Sequence, residues 1–162
     1  MPNKPVITNS TPLVALWILN RLDLLRELYG EVWIPLAVRD EFVATERVLR
    51  GAALQNAPWI KPVALANPLH VRVYVGLDQG EAEVLALAEE QAARLVIMDE
   101  RRGRRYAQRL DLPLTGTLGL LLAAKTQGLI PRLSPLITEL LQAGLYLSPD
   151  LVAAVLRKAD EQ

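Results

Sequence analysis

The sequence contains no cysteine and only one histidine, His70. Without thiols the chain forms no disulfide, offers no thiolate to zinc and has no cysteine nucleophile, a composition that suits the reducing cytoplasm. Because no second histidine is available at ligand spacing, we expect His70 to be a surface or core residue rather than a metal ligand.

An excess of charge is also missing, since 18 Lys and Arg residues balance 18 Asp and Glu residues. Any contact with nucleic acid must therefore come from a local patch. Apolar runs such as 118–124 are far shorter than the roughly 20 residues that span a bilayer. The first residues lead straight into a strand, which predicts no signal peptide. We expect one cytoplasmic domain over residues 1–162, with a helical C-terminal extension at 134–159.

What the sequence does contain is an alternation of short apolar runs and helical patterns. Such runs are typical of strands buried on both faces, and their alternation with helices predicts right-handed crossovers and a parallel sheet. A hydroxyl residue followed by proline is a helix-start signal. Residues 47–57 show neither pattern clearly and are interpreted as a loop or an irregular helix. The predicted strands are 5–8, 32–35, 60–65, 94–98 and 112–115, and the start signals are Thr11-Pro12, Ser134-Pro135 and Ser148-Pro149.

Polar side chains follow two of these strands directly. Asn9 follows strand 5–8 and Asp99 follows strand 94–98, so both lie at the carboxyl edge, where ligands bind in parallel sheets. Glu41 and Glu81 fall near the inward faces of their helices, where a carboxylate is costly unless it is paired or bound to a cation. We therefore expect the three acids and the amide to converge.

Ordinary structural roles remain open for the same residues. Glu81 can be a helix-start acid that favours the helix dipole, Asp99 a turn residue, and Glu41 a half-exposed side chain. Asn9 can be a turn residue whose side chain caps the next helix.

A run of arginines follows Asp99 immediately. These side chains can hold a phosphate backbone, or they can form a solvated helix face that pairs with Glu89, Glu90 and Glu100. No aromatic platform accompanies the run, so stacking on bases is not indicated. The four residues are Arg101, Arg102, Arg104 and Arg105.

Five segments together resemble the PIN-domain superfamily, in particular its DUF3368-type branch, which is similar to toxin ribonucleases of the VapC type. They are "VITNSTPLVAL", "VWIPLAVRDEF", "LDQGEAEVLALA", "LVIMDERRGRRYA" and "GTLGLLLAAKTQGLI". The resemblance implies a three-layer α/β/α sandwich with a central five-stranded parallel sheet, followed by two C-terminal helices. It also implies an Mg²⁺- or Mn²⁺-dependent nuclease site of four acids, which fall on Asn9, Glu41, Glu81 and Asp99. Ser10, Thr11 and Thr117 are hydroxyls at helix starts near that site.

The resemblance further implies an RNA substrate, a homodimer and a small antitoxin partner. The terminal helices, together with Trp17 and Leu19, are candidate contact surfaces. We expect an endoribonuclease, the toxin of a toxin–antitoxin pair, with a site weakened at Asn9. An amide oxygen can ligate Mg²⁺ but brings no charge and takes no proton from water. The alternative is a catalytically impaired module that binds RNA or protein without cleavage. A phosphate-binding domain of another kind is disfavoured because no glycine-rich loop is present.

Overall fold

The computed structural model describes residues 4–162. Its centre is a five-stranded sheet in the order β3-β2-β1-β4-β5, in which every pair of neighbouring strands is parallel. The strands are β1 Val6–Thr8, β2 Val32–Pro35, β3 Ile60–Val63, β4 Leu95–Ile97 and β5 Leu114–Thr115. With helices around it, this sheet confirms the predicted α/β/α architecture.

Strand ends differ from the predicted ones where a neighbour stops pairing. β3 ends at Val63 because its partner Pro35 is the last residue of β2 before the chain enters a helix. β5 begins only at Leu114, because Leu112 still donates to the Ala107 carbonyl in the closing turn of the preceding helix, at 2.9 Å.

Helices fill the connections and follow the last strand. They are α1 Ser10–Ile18, α2 Asp23–Tyr29, α3 Leu36–Val43, α4 Arg47–Gln55, α5 Gln79–Gln91, α6 Arg101–Arg109, α7 Thr117–Thr126, α8 Ser134–Gln142 and α9 Pro149–Lys158, with a 3₁₀ helix at Pro68–Val73. None of these helices, within residues 4–162, has both the length and the apolar character needed to cross a membrane.

The interpretation of residues 47–57 as a loop or irregular helix is wrong, because α4 is a regular helix. None of its residues is buried, and its large apolar residues Val48 and Leu49 are 84% and 62% exposed. The helix is attached instead through Arg50, whose guanidinium lies 4.6 Å from the centre of the Trp17 ring and 5.3 Å from that of Phe42.

The chain reverses direction between β1 and β4. From β1 it builds outward through β2 to β3, and it then returns through α5 to place β4 against the other side of β1. Thr8 pairs with Ile97, and the next residues are Asn9 and, two positions on, Asp99. The carboxyl ends of β1 and β4 therefore flank the switch point at which open α/β sheets bind ligands.

Helix α5 is the buried element of the core. Residues Val84 to Ala88 are all buried, because the helix packs on β1 and β2 with one side and on α3 with the other. Leu19, named above as a contact residue, is only 7% exposed and belongs to the same core.

Of the three predicted helix starts, the first is displaced and the second differs in its cap. α1 begins at Ser10 with Asn9 at its N-cap, ahead of the predicted Thr11-Pro12. α8 does begin at Ser134, but Ser134 does not cap it. The carboxylate of Glu161 accepts the Leu133 and Ser134 N–H groups at 2.8 and 2.9 Å. Ser148 caps α9 as predicted.

Candidate functional site

A groove of about 900 Å³ opens at the carboxyl ends of β1, β4 and β5. It is bounded by α6 on one side and by α7 and α9 on the other. Most of the residues singled out in the sequence line it. These are Asn9, Ser10, Thr11, Glu81, Asp99, Arg101, Arg104 and Arg105.

Asn9 is fixed at the floor of the groove. Its main-chain N–H donates to the Ile97 carbonyl at 3.0 Å, and only 4% of the residue is exposed. Its side chain makes no capping hydrogen bond, so the helix-cap interpretation is wrong. Instead Oδ1 is a buried acceptor without a hydrogen-bond partner in residues 4–162. A buried acceptor left unpaired costs about 1–3 kcal/mol, and a cation in the groove would recover that cost.

Asp99 is oriented by Thr117. Its Oδ1 accepts the Thr117 N–H at 2.8 Å and its Oδ2 accepts the Thr117 hydroxyl at 2.5 Å. Gly116 permits this approach, because a Cβ there would overlap Oδ1. The Asp99 carboxylate thus accepts hydrogen bonds from the first residue of α7, as a turn residue would. Each of its oxygens keeps a lone pair for a further partner. Gly116, rather than Thr117, is the N-cap.

Glu81 forms a pair with Asp78, a residue that the sequence analysis missed. Asp78 is the N-cap of α5 and accepts the Glu81 N–H at 2.8 Å. Burial raises the pKa of Glu81 to about 7, and the hydrogen bond and charge of Asp78 and the charge of Glu100 add to this rise, against a backbone hydrogen bond from Asp78. The two residues form a capping box, so Glu81 is a helix-start acid that also faces the groove.

Glu41 lies beside the groove rather than among its lining residues. Its Oε2 accepts the Ser10 hydroxyl at 3.0 Å. Burial raises the pKa of Glu41, the Ser10 hydroxyl opposes that rise, and the charges of Asp78 and Glu83 add to it. Gly80 gives the carboxylate its space, because a Cβ at that position would overlap Oε1.

The expected convergence of three acids on one ion is not found. Within residues 4–162, no three Asp, Glu or His side chains lie close enough together to hold one metal ion. Asp99 bonds to Thr117 and Glu41 to Ser10, whereas Glu81 lies beside a fourth acid, Asp78, whose charge helps to raise its pKa.

The oxygen donors of Asn9 and Asp99 fit a metal ion that keeps several waters, but not one that is enclosed by protein ligands. Mg²⁺ usually keeps several waters and binds through one or two carboxylates, and Mn²⁺ favours the same oxygen donors. The free lone pairs of Asp99 and the unpaired oxygen of Asn9, which share one groove, suit such a hydrated ion. They do not suit a dehydrated ion enclosed by protein ligands.

The four arginines of the run do not all face the groove. Arg101 and Arg105 are exposed in the groove, and Arg104 lines it while donating to the Met98 carbonyl at 2.9 Å. Arg102 donates to the Gly76 carbonyl at 3.2 Å and does not line the groove.

The predicted alternative, in which these arginines pair with Glu89 and Glu90, is also wrong. His70 lies against both glutamates, at 3.0 and 3.4 Å. Across the part of the chain that the structure describes, no arginine of the run lies within ion-pair distance of an acid.

The sequence indicated no aromatic platform beside the arginines, but packing brings an exposed aromatic ring into their groove. Tyr146, between α8 and α9, lines the same groove and is 84% exposed. Lys158 of α9 adds a cation on the wall opposite α6. No local signal joins these residues to the arginine run, because only the packing of α9 on α7 brings them there.

The comparison with known families agrees with this geometry. The model of the DUF3368 family, described as a PIN domain, matches residues 5–161. No curated protein matches the chain. The match spans the sheet, the groove and both terminal helices, and the chain therefore belongs to the DUF3368 family of PIN domains.

Proposed function

We propose that the protein is a Mg²⁺- or Mn²⁺-dependent endoribonuclease whose site is the groove at the switch point of the sheet. PIN domains have a nuclease-type fold, depend in general on divalent metals and act in general on RNA. The observation that carries the proposal for this chain is the unpaired buried Oδ1 of Asn9 in a groove shared with Asp99. Buried acceptors in folded proteins almost always have a hydrogen-bond partner, so folding alone does not explain why the Oδ1 of Asn9 lacks one.

Asp99 and Asn9 would hold the ion, with Glu81 as a further carboxylate. A bound divalent ion supplies a nucleophilic water and compensates charge on the phosphoryl oxygens. Thr117 holds the Asp99 carboxylate in one orientation. Without metal, burial and the neighbouring Asp78 raise the pKa of Glu81 to about 7, and a divalent ion bound beside it would favour the ionised form that can act as a ligand. Glu41, fixed by Ser10, positions the start of α1 beside the site.

Arg101 and Arg105 would hold the phosphate backbone of the RNA. Both are exposed on the α6 wall and neither is engaged by an acid in residues 4–162. Contacts of this kind give affinity and position rather than sequence reading.

Asn9 makes this a weakened site, because an amide brings no negative charge to the ion. A second candidate function follows from the same residue. With the carboxylates apart and the first ligand neutral, the groove can bind RNA or a protein without cleaving anything.

Cleavage of a panel of structured and single-stranded RNAs in Mn²⁺ separates the two candidates. We expect slow cleavage by the parent protein and a loss of about 100-fold in Asp99→Asn. Asp111→Asn is the matched control, because it makes the same chemical change outside the groove, at a residue with φ of 55° that Asn also tolerates. RNA binding without cleavage by the parent would favour the binding module.

The biological setting is proposed on the family alone. We propose that the chain is one cytoplasmic domain, that it forms a homodimer and that it is the toxin partner of a small antitoxin. Val48 and Leu49 of α4 are 84% and 62% exposed and offer an apolar contact surface. Light scattering on the purified chain, with Val48→Glu as the variant, tests the dimer.

A further inference from the structure

Tyr146 is presented to the groove by an anchored main chain. Gly144, at φ of 93°, ends α8, and the Leu145 N–H donates to the Leu140 carbonyl at 3.1 Å. Leu145 and Leu147 on either side pack against the core, whereas Tyr146 is 84% exposed. The Tyr146 ring therefore extends from a main-chain segment that is already held in place. A ligand that binds the ring does not have to order this segment.

The groove changes character along its length. The acids and Asn9 lie at the strand ends, whereas the other part is lined by apolar residues of α7 and α9. Leu151 of α9 is 62% exposed there, beside Leu118 and Leu122 of α7. Cations border this part as well, with Arg105 on α6 and Lys158 on α9.

We propose that Tyr146 and Leu151 form a stacking subsite for one unpaired nucleobase of single-stranded RNA, with the flanking phosphates held by Arg105 and Lys158. The subsite rests on the function proposed above and assigns a substrate form to it. An aromatic ring accepts the face of any base, but a base inside a duplex keeps its faces covered by its neighbours.

The charges favour RNA over an apolar peptide as the occupant. A hydrophobic peptide would cover Tyr146 and Leu151 but would leave cations on both walls without partners. A single strand supplies a flat apolar base and phosphates at the same time, and it does so at every nucleotide. The subsite and the acids line the same groove, so one strand of RNA can reach both.

Fluorescence anisotropy with EDTA present measures binding without cleavage. The probes are single-stranded RNAs of about 12 nucleotides, of uridine and of adenosine, within the usual site size of single-strand binders. A third probe is the same uridine strand with abasic sites, and a fourth is an RNA duplex of equal length. The variants are Tyr146→Ala, Tyr146→Phe, Lys158→Gln and, as an apolar control that is 61% exposed outside the groove, Val73→Ala.

We expect Tyr146→Ala to weaken binding of both single strands by about 5- to 150-fold, as stacking on one aromatic ring predicts. Tyr146→Phe and Val73→Ala should bind as the parent does. The abasic strand should show no loss in Tyr146→Ala, a readout that a merely structural role would not give. Lys158→Gln should reduce the slope of log affinity against log salt by about 0.7, whereas Tyr146→Ala should leave that slope unchanged.

Three results would overturn the stacking subsite, and they differ in what they imply for the nuclease proposal and for this face of the protein. Equal affinity of parent and Tyr146→Ala for the single strands removes the subsite and leaves the nuclease proposal standing. No binding of any RNA by the parent removes both. Loss of self-association in Tyr146→Ala, with RNA affinity unchanged, would make this face a protein interface instead.

Discussion

Glu161, the second-last residue, fastens the C-terminal helix and thereby one wall of the groove. Its side chain is 3% exposed. The carboxylate accepts the N–H groups of Leu133 and Ser134 and the Lys125 ammonium at 2.9 Å or less. Burial alone raises the pKa of Glu161, but the three donors and the charge of Lys125 outweigh burial and lower it from 4.5 to about 2. We predict that Glu161→Gln destabilises the protein in a pH-dependent way.

The magnitude follows from this pKa. Lowering a pKa from 4.5 to about 2 corresponds to about 3 kcal/mol of stabilisation by the ionised form. The partners are partly solvated, with 26% of the Lys125 side chain and 62% of the Arg132 side chain exposed, so screening reduces the contribution. We expect about 1–2 kcal/mol. Because the folded pKa is the lower one, this contribution is present above pH 4.5 and is lost as pH falls toward 2.

Urea unfolding at pH 7, 5, 4 and 3 measures the difference in unfolding free energy between parent and Glu161→Gln. The difference should be full at pH 7 and 5 and should shrink at pH 4 and 3. Glu27→Gln is the control, since Glu27 forms only an exposed pair with Arg26 and should change stability by less than about 0.5 kcal/mol. A difference that is absent at pH 7, or equally large at pH 3, would refute the reasoning.

Two further predictions concern the groove. Without metal, Glu81→Gln should stabilise the protein by about 1 kcal/mol at pH 8 and by much less at pH 4. The folded pKa of about 7 lies above the unfolded value of 4.5, so the cost of Glu81 grows as pH rises from 4.5 to 7 and is full at pH 8, and its half-exposed position screens part of that cost. Equal melting-temperature shifts at both pH values would contradict this. Gly116→Ala should displace the Asp99 carboxylate from Thr117 and lower RNA cleavage by about 10-fold or more. Gly51→Ala is the control, because no atom lies within 4 Å of a Cβ at that position. Unchanged cleavage in Gly116→Ala would show that the orientation of Asp99 does not matter for cleavage.

The sheet was predictable because its strands are buried on both faces and read as apolar runs. β2 was predicted with its observed bounds, and the errors at β3 and β5 arise where a neighbouring strand, not the strand itself, sets the end. α4 was not predicted, because its large apolar residues Val48 and Leu49 are exposed, and a contact such as that of Arg50 with the Trp17 ring cannot be inferred from a sequence pattern.

The site was predictable only in part. Position after a strand places Asn9 and Asp99 correctly, because the carboxyl edge of a parallel sheet is fixed by topology. Asp78 had a readable signal, the spacing of a capping box to Glu81. The sequence does not show that Asp99 turns toward Thr117, because hydrogen-bond choice among near neighbours is decided by packing.

Tyr146 and Arg102 both show that closeness in sequence does not decide which residues share the groove. Tyr146 is far from the arginines in sequence but shares their groove, whereas Arg102 belongs to the run yet turns to the Gly76 carbonyl. On a helix, residues that follow one another point in different directions, so a charge run seldom acts as one patch.

The rate of RNA cleavage as a function of Mn²⁺ concentration, for the parent and for Asn9→Asp, tests the central claim most directly. If Asn9 is a neutral ligand in a working nuclease site, the parent cleaves, and Asn9→Asp reaches half of its maximal rate at about 10- to 100-fold lower Mn²⁺. Cleavage by neither protein at any Mn²⁺ concentration, or identical curves for both, would contradict the assignment of this groove as a metal-dependent site built on Asn9 and Asp99.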